Sequence, residues 1–355
     1  MKREIRKIMA GASVMAIALS TSKGADERAP ITWSRLPPLP DSLGVAGAFA
    51  GVSGGALMVA GGANFPGKMP WEGGKKVWHD TVYALERTNG SWRVIGRLPR
   101  PLAYGVSLTV PEGVLCVGGS DVERHYADTS VLVYSRGTLE VKSLAPLPIP
   151  LANGAGALVG NVAYVAAGSD QPGERSALNR LFALDLAKAA PAWTELEPCP
   201  GAARILPVAA AVNGAFYLAG GAALRPADGT VKRVYLRDAW RFTPGKSWQR
   251  LPDLPKPCVA AASPAPVLDA MMLLVGGDDG SLVGFQPPAK HPGFPKGIQA
   301  LDVREEKWKT FGEAPVGRAT LPSVEWNGMI VLPSGEMRPG VRSPEIWTFH
   351  TNGTH

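Results

Sequence analysis

The 355-residue sequence is poor in cysteine, with three, and in histidine, with five. No two of the histidines have the spacing of metal ligands, so there is no metal site to read. Cys116 sits in the apolar run Val-Leu-Cys-Val and reads as a buried thiol. Cys199 and Cys258 lie in Pro-rich connections, where they either pair or stay free. No run of Lys or Arg with interleaved aromatics occurs, which excludes a nucleic-acid partner. The formal charge is +7, but Lys2, Arg3, Arg6, Lys7 and Lys23 against Glu4 put +4 of it in the first 24 residues and leave +3 for the rest. Beyond those residues no stretch is apolar enough to cross a membrane.

The first 24 residues are a unit of their own. Four cations precede an apolar run from Ile8 to Leu19, followed by small residues around Ser20, Ser22 and Gly24. This is the pattern of a secretory signal peptide, with an uncleaved anchor as the alternative. Residues 25–355 are then expected to form a single exported domain, periplasmic or secreted, with no membrane association after leader cleavage.

What the chain has in quantity is turn formers, 42 Gly and 33 Pro, interspersed with a composition that is 45% hydrophobic. That mixture predicts many short strands. An apolar segment ending in small residues recurs six times, at Met58-Val-Ala-Gly-Gly62, Leu115-Cys-Val-Gly-Gly119, Tyr164-Val-Ala-Ala-Gly168, Tyr217-Leu-Ala-Gly-Gly221, Leu273-Leu-Val-Gly-Gly277 and Ile330-Val-Leu-Pro-Ser-Gly335. The last glycines are 57, 49, 53, 56 and 58 residues apart. Each copy continues with an aromatic or aliphatic strand, such as Val82-Tyr-Ala-Leu85, and all but the sixth then close with a further element that carries a Trp in four of them and ends on a Pro, preceded by Leu in three. The sixth copy lacks that closing element, while Trp33-Ser-Arg-Leu-Pro-Pro-Leu-Pro40 is a closing strand with no copy before it. Pairing this N-terminal strand with the three C-terminal ones closes a ring without an exposed edge. The fold class is therefore all-β: a six-bladed β-propeller over residues 30–350, whose repeats resemble the kelch type. A linear β-solenoid is the competing architecture, and the split copy argues against it.

In an up-and-down blade, the lead-in to the first strand and the residue after the glycine pair emerge at one rim. The lead-ins include Arg100 to Tyr104, Leu151 to Gly154, Arg204 and Arg318; the post-glycine positions read as Asn64, Asp121, Asp170, Ala222, Asp278 and Glu336. Asp121, Asp170 and Asp278 are ordinary turn formers. Glu336 is a poor turn residue, yet it follows Pro-Ser-Gly and precedes Arg338, Pro339, Gly340 and Arg342. A carboxylate beside Arg204, Arg318 and Arg342 would suit an acidic ligand, because a guanidinium presents a planar two-toothed fork. Arg204 and Arg318 read equally as hydrogen-bonders between blades. Two long inserts, residues 63–80 and 278–297, are expected to wall a pocket on this rim. The first carries Lys76, Trp78 and His79, the second His291 and Phe294. Each lone histidine reads as a loop residue rather than a catalyst.

Three segments carry a resemblance: Gly335-Glu-Met-Arg-Pro-Gly-Val-Arg342, Gly44-Val-Ala-Gly-Ala-Phe-Ala-Gly51 with Gly61-Gly-Ala-Asn-Phe65, and Ala103-Tyr-Gly-Val-Ser-Leu108. They are similar to signature segments of the N-acetylneuraminate epimerases, the sialic acid mutarotases. The first two sit here at opposite ends of the chain, so joining His350 to Trp33 would restore the usual order. In this respect the chain resembles the cyclically permuted mutarotase group. The resemblance implies interconversion of the α and β anomers of a sialic acid, most simply N-acetylneuraminate. It implies Glu336 as the proton-transferring group and Arg342 at the substrate carboxylate. Arg204, Arg318, Asn64, Tyr104 and Arg338 are the further expected substrate contacts. The implied partner is a small acidic sugar, with no metal and no organic cofactor. A non-catalytic propeller that binds a glycan or a protein on the same rim is the alternative. Sialidase and copper-oxidase readings fail for want of their repeated Ser-x-Asp-x-Gly-x-Thr-Trp segments and Tyr, Tyr, His, His set.

Overall fold

The structure is a computed structural model that describes residues 31–173, 176–227 and 229–351. The leader assigned to residues 1–24 lies outside the described residues. Six four-stranded antiparallel sheets stand as blades around an axis. Blade one runs outward from Phe49–Ser53 through Ala56–Ala60 and Thr81–Leu85 to Arg93–Arg97. Blades two to five start at the inner strands Val106–Val110, Ala155–Val159, Val208–Val212 and Val267–Leu268. Blade six combines Val324–Trp326, Met329–Pro333 and Ile346–Thr351 with Ile31–Leu36 from the other terminus. Trp33 pairs with Phe349 in that last ladder, the closure the split repeat predicts.

The strand patterns follow from where each strand sits. Second strands such as Ala56–Ala60 and Ala215–Ala219 are buried at every residue, because neighbouring blades cover both faces. They accordingly read as unbroken apolar runs. The outer strand Thr138–Leu144 has water on one side and alternates. Apolar packing is divided among the seams between blades: Leu57, Val59, Val331 and Ile346 fill the seam of blades six and one, and Tyr164, Phe216, Leu218 and Phe242 that of blades three and four. The closing Trp residues peg these seams. The indoles of Trp92, Trp248 and Trp308 donate to carbonyls of the preceding blade at Pro37, Glu197 and Pro252, at 2.8–2.9 Å.

The glycine pair is a clasp. Gly276 and Gly277 both have left-handed backbone, φ +74 and +87, and a Cβ on Gly276 would lie 2.1 Å from the Arg318 carbonyl oxygen. The Gly277 N–H donates to that same carbonyl, in the next blade, at 2.7 Å. The equivalent bonds from Gly62, Gly119, Gly168, Gly221 and Gly335 repeat this around the ring. Cys116, Cys199 and Cys258 are free and buried, so Cys199 and Cys258 do not pair.

Just before each inner strand lies one further left-handed residue: Gly47, Tyr104, Asn153, Leu206, Ala260 and Thr320, with φ from 54° to 65°. Their peptides form a closed circle. Tyr104 donates to Gly47, Asn153 to Tyr104, Leu206 to Asn153, Ala260 to Leu206, Thr320 to Ala260 and Gly47 to Thr320, at 2.7–2.9 Å. Only one of the six is glycine, so the circle of bonds offsets a backbone strain that five side chains bear.

Candidate active site

That circle floors a cavity of about 470 Å³, lined by Tyr104, Asn153, Leu206, Ala260 and Thr320 among others. The space of about 60 Å³ among the inner strands has no charged residue in its lining, whereas the larger cavity on the axis is lined by Lys76, Glu336 and Arg342. Four of the six residues directly behind the second glycine, Ser120, Ser169, Asp278 and Glu336, line its wall. Ala63, Ser120, Ser169, Ala222, Asp278 and Glu336 form equivalent antiparallel bridges to Ala46, Ala103, Ala152, Ile205, Val259 and Ala319. The sequence grouping of Asn64, Asp121 and Asp170 with these positions is therefore off by one residue. It also follows that Asp278 occupies in blade five the place that Glu336 occupies in blade six.

Glu336 and Arg342 face each other across a hairpin, Glu336–Arg338 against Val341–Arg342, that turns at Pro339-Gly340. Gly340 takes the left-handed conformation this turn needs, φ +81. The Glu336 carboxylate is anchored through one oxygen: Oε1 accepts from the Gly340 N–H and from Arg342 Nη1, both at 2.8 Å. Oε2 has no partner among the described residues and is left for a ligand. Arg342 is held in turn by its Nε on the Ala63 carbonyl at 3.3 Å and by the Phe65 ring 4.9 Å below its guanidinium. The two side chains are 17% and 4% exposed, so the pair is desolvated enough for its charges to matter but remains open on the cavity side.

A second cation stands nearby. Lys76, from the first insert, places its Nζ 4.9 Å over Tyr104, 5.4 Å over Trp78 and 6.0 Å over Phe65. It has no carboxylate partner among the described residues. Three aromatic faces hold an ammonium without neutralising it, so Lys76 and Arg342 together give this side of the cavity positive potential.

Of the seven residues picked from sequence, Glu336, Arg342 and Tyr104 line the cavity. The other four do not, and each has a physical reason. Arg204 and Arg318 lie two residues before the circle, where side chains turn into the seams. Arg204, fully buried, makes two bonds to Asp238 at 2.9 and 2.6 Å and one to the Gly220 carbonyl. Arg318 binds Glu345 at 2.7 Å and Ser343 at 3.0 Å. Asn64 is buried behind the wall, donating to the Gly44 carbonyl and Asp41 and bonded to His79. Arg338 lies beyond an irregularity in the hairpin that follows Glu336, and it donates to the Ala289 carbonyl in the fifth-blade insert. In this structure these four side chains bind the scaffold and do not line the cavity, unlike the ligand contacts expected of them.

Sequence reasoning missed Lys76 among the site residues, Asn153, His125 and the hairpin Ala222–Ala227 with Thr230–Tyr235. The hairpin brings Arg233 to the cavity and sets the Tyr235 hydroxyl 2.6 Å from Asp278 Oδ2. Its signal was present in the β-favouring Thr, Val and Tyr residues of Thr230-Val-Lys-Arg-Val-Tyr235. Burial, then the bond to Asp278, push the Tyr235 phenol well above its ordinary pKa. Tyr235 is therefore a fixed donor to Asp278. Among the described residues no group of three or more His, Cys, Asp or Glu is placed to hold a metal ion.

A six-bladed propeller with a Glu–Arg pair and an unpaired lysine at the mouth of its axis is the class of protein these features define. The solved structure titled "Structure of YjhT" shares the fold, with a TM-score of 0.67 over 90% of this chain and 98% of that one, at 15% identity. The chain belongs to the N-acetylneuraminate epimerase family, whose sequence model matches residues 16–141 and 144–286. The N-acetylneuraminate epimerase of Salmonella enteritidis PT4 (strain P125109) is 43% identical over 108 residues, 26% of this chain and 28% of that protein. The one from Yersinia pestis (strain Pestoides F) is 46% identical over 85 residues, 21% of each. The chain thus spans between a fifth and three tenths of the length of these curated relatives. The family model's match ends at residue 286, before the Glu336–Arg342 hairpin, so the reading of that hairpin stands on its geometry and its motif.

Proposed function

We propose that the protein is a mutarotase that interconverts the α and β anomers of a sialic acid, with N-acetylneuraminate as the substrate. The observation that carries this is the division within Glu336: Oε1 is fixed by two donors, and Oε2 is free beside Arg342 and Lys76. An acidic sugar brings a carboxylate for the cations and, on the next atom, an anomeric hydroxyl. Glu336 Oε2 takes the proton of that hydroxyl, the bond from the anomeric carbon to the ring oxygen breaks, and the electron pair released is protonated from the same carboxyl. The open keto form turns about the bond between its carbonyl carbon and the neighbouring methylene and closes on its other face by the reverse steps. Nothing is oxidised or reduced, and one general acid/base group suffices.

The test is proton NMR of freshly released α-N-acetylneuraminate. The wild type should speed the approach to the β anomer; a rate equal to that in buffer refutes the assignment. The Glu336→Gln protein should bind the sugar without accelerating it. If the reaction proceeds unchanged in that variant, the role of Glu336 is wrong. The signal-peptide pattern at residues 1–24 supports export, and fractionation of a Gram-negative host should find the protein in the periplasm.

A further inference from the structure

His125 has no part in the chemistry above, yet it is built into the cavity with care. It is 8% exposed, its backbone bridges Ser120, and its side chain lines the cavity with Ser120, Asn153 and Ser169. Its Nδ1 lies 3.1 Å from the Ser169 carbonyl oxygen. A carbonyl oxygen can only accept, so Nδ1 carries the hydrogen and the neutral ring presents the lone pair of Nε2. No residue among those described meets Nε2, nor the amide of Asn153. Burial lowers the pKa of His125, against the opposing effects of the Ser169 carbonyl, Asp170 and Asp121. The imidazole is thus an acceptor rather than a cation.

Position gives this acceptor a meaning. Ser120 and His125 follow the second strand of blade two, and Asn153 and Ser169 belong to blade three. In a ring of six, blade three faces blade six, which carries Glu336 and Arg342. A ligand whose carboxylate and anomeric carbon are held at blade six extends its far end across the floor toward blades two and three. We infer that His125 and Asn153 form a subsite for the polyhydroxylated tail of the acidic sugar, with Nε2 of His125 accepting a hydrogen bond from a tail hydroxyl. This rests on the proposed mutarotase reading and narrows it to acidic sugars that carry a hydroxylated side chain on the ring.

The experiment compares anomer exchange, by NMR, for N-acetylneuraminate and for its seven-carbon analogue lacking the last two carbons of the tail. Wild type should favour the nine-carbon sugar by about 10-fold in kcat/KM, the upper end of what one hydrogen bond contributes. His125→Ala should lose that advantage through KM while processing the short analogue at the wild-type rate. Asn153→Ala, at a partly exposed position, gives a second reading should the His125 variant fold poorly. Should either folded variant keep the full preference, or lose activity equally on both sugars, the tail subsite is refuted while the mutarotase reading stands. If wild type accelerates neither sugar, the parent reading falls and the subsite with it.

Discussion

Glu336 and Arg342 share one carboxylate oxygen, and that arrangement separates the effects of changing each. Glu336→Gln removes the proton carrier but keeps an oxygen that can accept from Gly340 and Arg342, so kcat should fall ~100- to ~10,000-fold with little change in KM. Arg342→Lys keeps the charge and loses the fork that reaches Glu336, the Ala63 carbonyl and the ligand together. Its signature should be a raised KM as well as a lower kcat, read in the same exchange assay. Lys76→Met keeps a stem against Tyr104 and Trp78 but removes the ammonium, so KM should rise roughly 10-fold with kcat near wild type. An unchanged KM would mean that the ammonium serves only to pack the insert. At this scale the sequence was legible where chemistry and turn preference disagreed, as at Glu336 after Pro-Ser-Gly. It was illegible where direction decided, because nothing in a string of letters says that Arg204 points into a seam and Tyr104, two positions further along the repeat, into the cavity.

The seams show how the repeated elements carry two buried cations. At the place where Arg204 stands, blades one to three use Val45, Leu102 and Leu151, and blade five uses Cys258. A guanidinium there is tolerable only because blade four supplies a carboxylate. Burial pushes the Asp238 carboxyl up, but the bonds and charge of Arg204, helped by Trp240, outweigh it and hold the group below the usual carboxylate range. A group depressed in the folded state contributes stability above its unfolded pKa and loses it as pH falls through the folded value. Asp238→Asn should therefore be less stable than wild type by ~3 kcal/mol at neutral pH, since it leaves Arg204 buried without its charge partner. The gap should begin to narrow as the pH drops below about 4, where the carboxylate of the unfolded chain takes up its proton, and should go on closing as the pH falls toward the lower folded value. Urea unfolding from pH 7 to pH 3 measures this, and a pH-independent gap would assign the loss to packing instead. The same register explains the one-residue error at Asn64, Asp121 and Asp170. Polar residues occupy both the first and second places after the glycine, and only the bridges to the lead-in strands distinguish them.

For the whole molecule, the regular return of the glycine pair made the blade count and the closure readable in advance. The circle of left-handed residues was not readable, because five of its six members carry side chains that normally avoid that conformation. A circle of peptide bonds exists only when all blades are present, so it couples the cavity floor to the joining of the termini. Blade six is completed by six residue pairs between Ile31–Leu36 and Ile346–Thr351, with Trp33 packed 4.7 Å from Phe349. Starting the chain at Pro37 would strip Leu36 from the seam of blades six and one and expose the strand Ile346–Thr351 as an unpaired edge. Such a protein should unfold at a markedly lower temperature, associate in size-exclusion chromatography and lose anomer exchange. A circular permutant tells loss of the strand from loss of the floor. With the strand moved to the C-terminus through a flexible linker after residue 351, and the chain opened at Pro37, every ladder is restored without the original connectivity. Melting temperature and exchange rate should both return close to wild type, because a closed ring holds its circle of bonds wherever the chain is cut. Recovery of the melting temperature without exchange would show that the floor depends on the original connection between Leu36 and Pro37 and not on closure alone.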